Sequence, residues 1–134
     1  MKITADTNVL VRAIVGDDAI QSAAARRELE AADAVALPLA ALCELAWVLR
    51  RGYKLNVAHI AQAIERLLES ESVLVNRAAA QAGLDHLRAG GDFADGVIAH
   101  EGAWLGADTF VSLDVAAVRL MTARGEKARQ PGPA

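Results

Sequence analysis

The chain alternates short apolar segments of strand character with longer segments of helical periodicity, and this alternation constrains the fold more than any other feature. Four segments are predicted strands, at residues 2–5, 35–37, 72–75 and 110–113. The predicted helices lie at residues 7–15, 19–32, 38–51, 77–88, 92–104 and 115–122, and one more follows Asn56. Asp18 is the expected cap of the helix over 19–32, and Asn56 is the expected cap of the helix that follows it. Strands that alternate with helices pair in parallel. The pattern therefore predicts an α/β fold of three layers, a short central parallel sheet of about four strands flanked by helices.

Acidic residues stand alone inside apolar segments of this pattern. Asp6 follows the first strand, Glu44 lies within the helix over 38–51, and Asp114 follows the fourth strand. Asp92 and Asp95 lie three residues apart at a helix start and so share one helical face. No Lys or Arg occurs in the runs around these acids, at residues 3–11, 37–49, 92–99 and 110–118. Because the carboxyl ends of parallel strands share one edge of a sheet, we expect Asp6 and Asp114 to lie at that edge.

Isolated acids of this kind need a positive partner. An unpaired buried carboxylate costs several kcal/mol or takes up a proton. Clustered carboxylates are the oxygen ligands that Mg²⁺ and Mn²⁺ prefer, and such ions activate water and neutralise phosphate. The acids are therefore candidate metal ligands and catalytic residues. Thr7, Asn8 and Ser112 lie beside them and are candidates for orienting an acid or a bound water.

A structural role is the alternative for each acid taken singly. Asp92 and Asp114 lie next to helix starts, where a carboxylate caps free backbone N–H groups and interacts favourably with the helix dipole. Glu44 is the least like a cap, because it lies about two turns inside its helix. The interpretation as a site therefore depends on the acids meeting in space.

Composition restricts the class of protein. A chain of 134 residues is predicted to form one domain, over residues 1–124, followed by a flexible tail at 125–134 that is rich in Gly and Pro. The net charge of −3 argues against a broad basic surface for nucleic acid. One cysteine argues against a disulfide scaffold. With neither a membrane-length apolar run nor a signal peptide apparent, we expect a cytoplasmic protein with no membrane association.

Basic and aromatic residues offer secondary candidates. Arg50, Arg51 and Lys54 form the densest basic patch and are possible contacts for RNA phosphates, with a cation-decorated helix end as the alternative. Trp47 and Trp104 are expected in the core or in a dimer interface. His59 and His86 lie among polar residues and are expected to be solvated.

Taken together, the acidic motifs resemble those of PIN-domain nucleases. The motifs are Asp6-Thr7-Asn8, Glu44 in Leu42-Cys-Glu-Leu45, Asp92-Phe-Ala-Asp95-Gly-Val-Ile-Ala99, and Val111-Ser-Leu-Asp114. They occur in the family's order across roughly residues 1–122. Asp95 fills the family's Asp-x-x-Ile-Ala pattern, which makes Asp92 an added acid, and Ser112 stands where the family has Thr or Ser. The chain most resembles the VapC-type toxins of type II toxin–antitoxin pairs.

The resemblance implies a PIN-like fold and a Mg²⁺- or Mn²⁺-dependent endoribonuclease. Its implied partners are an RNA substrate, a cognate antitoxin and a second copy of the chain in a homodimer. The implied catalytic and metal-binding residues are Asp6, Glu44, Asp95 and Asp114, with Asp92, Thr7, Asn8 and Ser112 in supporting positions. Two other functions stay open at this point: a PIN-fold binding module without catalysis, and a nuclease that acts on structured DNA.

Overall fold

The structure, a computed structural model, describes residues 1–133 and shows the predicted alternation of strands and helices. In chain order it contains β1 (Lys2–Thr4), α1 (Thr7–Ile14), α2 (Ala19–Ala31), β2 (Ala34–Ala36), α3 (Leu39–Trp47), a π-helical turn (Val48–Gly52), α4 (Val57–Glu69), β3 (Val73–Leu74), α5 (Arg77–Arg88), α6 (Phe93–Trp104), β4 (Phe110–Val111), α7 (Val115–Ala123) and β5 (Ala128–Arg129). The α/β class is confirmed.

A three-stranded parallel sheet forms the centre, in the order β1-β2-β3. Ile3 pairs with Val35 in β2, and Val35 pairs with Val73 in β3. All three strands run in one direction, so their carboxyl ends lie along one edge. Asp6 follows β1 at that edge, as predicted.

The predicted fourth strand does not join this sheet. β4 pairs instead with β5 in a separate parallel pair, in which Phe110 lies opposite Ala128. The sheet therefore has three strands rather than about four. The expectation of a flexible tail over 125–134 is also wrong for Ala128–Arg129, because these residues supply the partner strand that β4 requires. Ala134 lies outside the described residues.

Side-chain caps begin most helices where the sequence predicts them. Asp18 accepts a hydrogen bond from the Gln21 N–H at 3.0 Å, and Asn56 accepts one from the His59 N–H at 2.8 Å. The helix that follows Pro38 changes pitch after Trp47 and ends as the π-helical turn, which the Tyr53 N–H closes by donating to the Val48 carbonyl. Local residues thus determine where most of the helices start, whereas α3 and α6 have no side-chain cap.

The core lies between the sheet and the apolar faces of α1, α3 and α4. It contains fully buried aliphatic side chains, among them Leu10, Leu42, Leu45, Leu49, Ile60 and Ile64. No helix within residues 1–133 has the length and apolar character needed to cross a bilayer.

Helices α5 and α6 pack most closely, and glycine makes this possible. A Cβ at Gly96 would lie 2.6 Å from the Ala82 carbonyl oxygen and 2.7 Å from the His86 Cβ. The first turn of α6 therefore rests directly on the α5 backbone. That turn also carries Asp95, so the close packing fixes the position of an acid.

The structure corrects two expectations about side-chain burial. His86 is fully buried in this contact rather than solvated. Its Nδ1 lies 2.9 Å from a guanidinium nitrogen of Arg124, which follows α7. A core position is excluded for Trp47 and Trp104, since their exposed fractions are 65% and 82%, and their expected alternative place in a dimer interface stays a prediction.

Candidate functional site

A cleft of about 390 Å³ lies between α3 and the amino-terminal ends of α6 and α7. Three of the predicted acids line it, Asp92, Asp95 and Asp114. The π-helical turn contributes Arg50 and Arg51 to the same cleft. The cleft therefore brings carboxylates and guanidinium groups together where three helices meet.

Asp92 and Asp95 reach the cleft from the start of α6. Asp92 occupies the N-cap position, but its carboxylate makes no capping hydrogen bond and is exposed. Asp95 lies in the first turn and is half-buried. Burial raises the pKa of Asp95, and the negative charges of Asp92 and Asp114 raise it further. The three acids therefore share one electrostatic environment, which a cation would stabilise.

Asp114 reaches the cleft from the start of α7. Its carboxylate accepts a hydrogen bond from the Ala117 N–H at 3.2 Å, so Asp114 is a helix cap as well as a cleft residue. The Ser112 hydroxyl oxygen accepts a hydrogen bond from the Asp114 N–H at 3.0 Å. Ser112 thus positions the backbone of this acid, and its supporting role at the site stays a prediction.

Asp6 and Glu44 form a second acidic group, bridged by one threonine. The Thr7 N–H donates to the Asp6 carboxylate at 2.7 Å, and the Thr7 hydroxyl donates to Glu44 Oε2 at 3.0 Å. Thr7 is buried, whereas both acids are exposed. Neither acid is among the residues that line the cleft. Asn8 faces a different groove, between β1 and α2.

The five acids offer the oxygen ligands that a hard divalent cation prefers, but in this structure their side chains do not meet at one point. Within residues 1–133, no three Asp, Glu, His or Cys side chains are grouped closely enough to hold one ion. Every donor is a carboxylate oxygen, and over the same residues none of the five acids forms an ion pair. Four of the five are exposed, so their rotamers can change on a fast timescale.

The three residues of the basic patch, Arg50, Arg51 and Lys54, do not all lie at the cleft. Arg50 and Arg51 line the cleft beside the acids, and both are exposed. Lys54 follows the π-helical turn with a positive φ of 55° and is not part of the cleft lining. Two of the three predicted RNA contacts therefore lie beside the acids, where a phosphate could meet both groups.

Sequence reasoning missed two residues of this region. Trp47 lines the cleft with its indole exposed, and it precedes Arg50 and Arg51 by three and four residues, a spacing that places side chains on one helical face. This spacing in the sequence could have predicted that Trp47 lies beside the two arginines. The burial of His86 had no local signal, because it results from the glycine-mediated contact between α5 and α6.

Comparison with known proteins agrees with the acidic motifs. The sequence model of the PIN domain family matches residues 3–115. The match includes Asp6, Glu44, Asp92, Asp95 and Asp114. A search of curated proteins found no match to the chain. Because the matched region covers most of its length, the chain belongs to the PIN domain family, whose members are generally nucleases and typically use divalent metal ions.

Proposed function

We propose that this protein is a Mg²⁺- or Mn²⁺-dependent endoribonuclease that hydrolyses RNA phosphodiester bonds in the cleft between α3, α6 and α7. One observation carries the proposal. A half-buried acid, Asp95, lies beside Asp92 and Asp114, and within residues 1–133 none of the three forms an ion pair, although Arg50 and Arg51 line the same cleft. Carboxylates suit a divalent ion, and guanidinium groups suit phosphate oxygens.

The acids have distinct roles in this proposal. Asp95 and Asp6 would be the principal metal ligands, and Glu44 and Asp114 would complete the site or position the attacking water. This arrangement requires the exposed side chains of Asp6 and Glu44 to turn toward the cleft, whose lining they do not join in this structure. A divalent ion bound there supplies a water of lowered pKa and a positive charge against the phosphate. Thr7 supports the arrangement, because its N–H and hydroxyl donate to Asp6 and Glu44 and so keep these two exposed acids near each other.

The arginines bind the substrate. Arg50 and Arg51 are exposed at the cleft and donate to phosphate oxygens of the RNA backbone. Their charges also offset the repulsion between the acids and an incoming polyanion. Asp92, exposed and without a capping bond, acts through a water molecule or through the substrate.

Incubation with labelled nucleic acids tests the reaction. We expect the purified chain to cleave RNA internally with Mg²⁺ or Mn²⁺, and cleavage to stop in chelator and resume when the metal is restored. The substrates are single-stranded and duplex RNA and the matching DNA molecules, resolved on denaturing gels. Cleavage of duplex DNA alone would favour a DNA nuclease. Binding of nucleic acid without cleavage under every metal condition would favour a binding module.

We further propose that the protein is the toxin of a toxin–antitoxin pair. The support is the family resemblance together with an exposed acidic cleft that an Arg or Lys of an antitoxin could enter and neutralise. Induced expression of the chain alone in bacteria should stop growth, whereas Asp95→Asn should allow it. Equal growth of the two strains, at equal protein levels, would contradict the toxin role.

A homodimer is the assembly that the resemblance implies, and we retain it as a proposal. Its support is the exposed apolar surface at the end of α6, where Trp104 and Leu105 have exposed fractions of 82% and 79%. Monomeric proteins rarely leave a large contiguous apolar patch in water. The molar mass in solution, measured by light scattering, tests the assembly.

A further inference from the structure

Trp47 is an exposed aromatic residue at the end of α3, a helix whose other large apolar side chains are buried or partly buried against the core. Its neighbours Leu45, Ala46 and Leu49 are buried, whereas the indole has an exposed fraction of 65%. The packing of α3 therefore does not require a large aromatic side chain at this position. An exposed indole that lines a cleft beside two guanidinium groups is a candidate for contact with a ligand.

The place of Trp47 defines the chemistry of that ligand. Trp47, Arg50 and Arg51 form the wall of the cleft that comes from α3 and the π-helical turn. The other walls carry Asp92, Asp95 and Asp114, the acids nearest the proposed cleavage point. A ligand that contacts the whole cleft presents a flat apolar face to the indole and anionic groups to the guanidinium groups. A nucleotide within a nucleic acid strand has both.

We propose that Trp47 stacks on an unpaired base next to the bond that is cleaved, while Arg50 and Arg51 bind the adjoining phosphates. This inference rests on the proposed function and names a residue that selects the substrate within it. Stacking requires an exposed base face, which a strand within a duplex does not offer because its bases stack on one another. Any of the four bases can stack, so Trp47 favours unpaired segments without reading their sequence.

The chain contains a matched control for this test. Trp104, the only other tryptophan, is also exposed but lies at the opposite end of α6, about 14 Å along the helix from Asp95. The variant Trp104→Phe keeps Trp47 as its one fluorescent tryptophan. The variant Trp47→Phe keeps Trp104 instead. Titration with a short oligoribonucleotide in chelator should quench the emission of Trp47 and leave that of Trp104 unchanged. An abasic oligomer of the same length should quench neither.

Affinity and cleavage give a second readout. Trp47→Leu should raise the Kd for single-stranded RNA about tenfold, because the stacking of one base contributes about 1–3 kcal/mol. Trp47→Tyr should restore most of that affinity, and Trp104→Leu should leave it unchanged. For duplex RNA, the loss of affinity in Trp47→Leu should be much smaller. Because Trp47 is exposed, these substitutions should not change the melting temperature.

The outcomes separate this inference from the proposed function. If wild type cleaves RNA while Trp47→Leu binds and cleaves equally well, and Trp47 emission does not respond, the stacking role is wrong and the nuclease stands. If no cleavage occurs but Trp47 emission is quenched, the stacking role stands and the nuclease proposal fails. If Trp47→Leu lowers the molar mass in solution without affecting binding, Trp47 is a subunit contact and the inference is overturned.

Discussion

Asp95→Asn is expected to lower RNA cleavage by about three orders of magnitude, while Asp92→Asn lowers it far less. Asn keeps the size of the side chain and removes the charge, so the loss reports charge alone. Metal-assisted charge stabilisation contributes several kcal/mol to a transition state, and each 1.36 kcal/mol is a factor of ten in rate. Asp95 is half-buried, so water cannot readily replace its carboxylate, whereas Asp92 is exposed. Single-turnover rates with Mn²⁺ measure both variants, and the reverse order would contradict the assignment.

We expect Asp95→Asn to keep its fold, so its thermal stability would separate a loss of cleavage from a loss of fold. The pKa of Asp95 is raised in the folded protein, so its ionised form destabilises the native state at neutral pH. This destabilisation is present at pH values above the raised pKa of Asp95. It disappears as the pH falls through that pKa and the carboxyl group takes up a proton. Asp95→Asn should therefore melt higher than wild type in chelator at pH 7, and the difference should shrink toward pH 4. A lower melting temperature at every pH would show that Asp95 does not carry this strain.

Gly96→Ala is expected to destabilise the fold by about 3 kcal/mol, at the upper end of the usual cost of overpacking. The added methyl group would lie 2.6 Å from the Ala82 carbonyl oxygen, and this backbone atom cannot move aside as a flexible side chain can. The helices α5 and α6 must then separate. A loss of this size lowers the melting temperature by roughly 10 °C in a domain of this length. Cleavage should fall as well, because Asp95 precedes the glycine.

Gly102→Ala is the matched control on the same helix. A Cβ at Gly102 would meet no heavy atom within 4 Å, so the substitution adds no clash. Ala is favoured over Gly in a helix interior by about 1 kcal/mol, so this variant should be slightly more stable than wild type. Thermal unfolding measures the two variants together. Equal melting temperatures for both would show that the α5–α6 contact is not as close as the structure describes.

Local sequence predicted the secondary structure well because its causes are local. Asp18 and Asn56 were identified as helix caps, since a cap is a hydrogen bond to a backbone group three residues away. The first and third strands fell within predicted apolar segments, and the second overlapped its segment but began one residue earlier. The separate pairing of β4 with β5 was not predicted, because the partner segment reads as a Gly- and Pro-rich end. Its strand character arises only from the hydrogen bonds that β4 offers.

The candidate site also has features that the sequence predicted and features that only the structure shows. Isolated acids in cation-free segments are visible in the sequence, and they led to the PIN domain family and to the carboxylates that a metal would use. The sequence also placed Arg50 and Arg51 together as possible phosphate contacts. It did not show that Asp92, Asp95 and Asp114 share a cleft while Thr7 bridges Asp6 and Glu44. Such groupings depend on which helices touch.

The sequence by itself therefore determined the types of residue at the site, the helix starts and the α/β class, because each follows from hydrogen bonds and periodicity within a few residues. Only the tertiary structure decided that Trp47 is exposed beside the acids, that His86 is buried, and that Asp95 is the acid whose charge is strained. Burial and electrostatic coupling depend on distances between residues far apart in the chain. The close contact at Gly96 is one example, because it buries His86 and fixes the turn that carries Asp95, and no local pattern around that glycine encodes it.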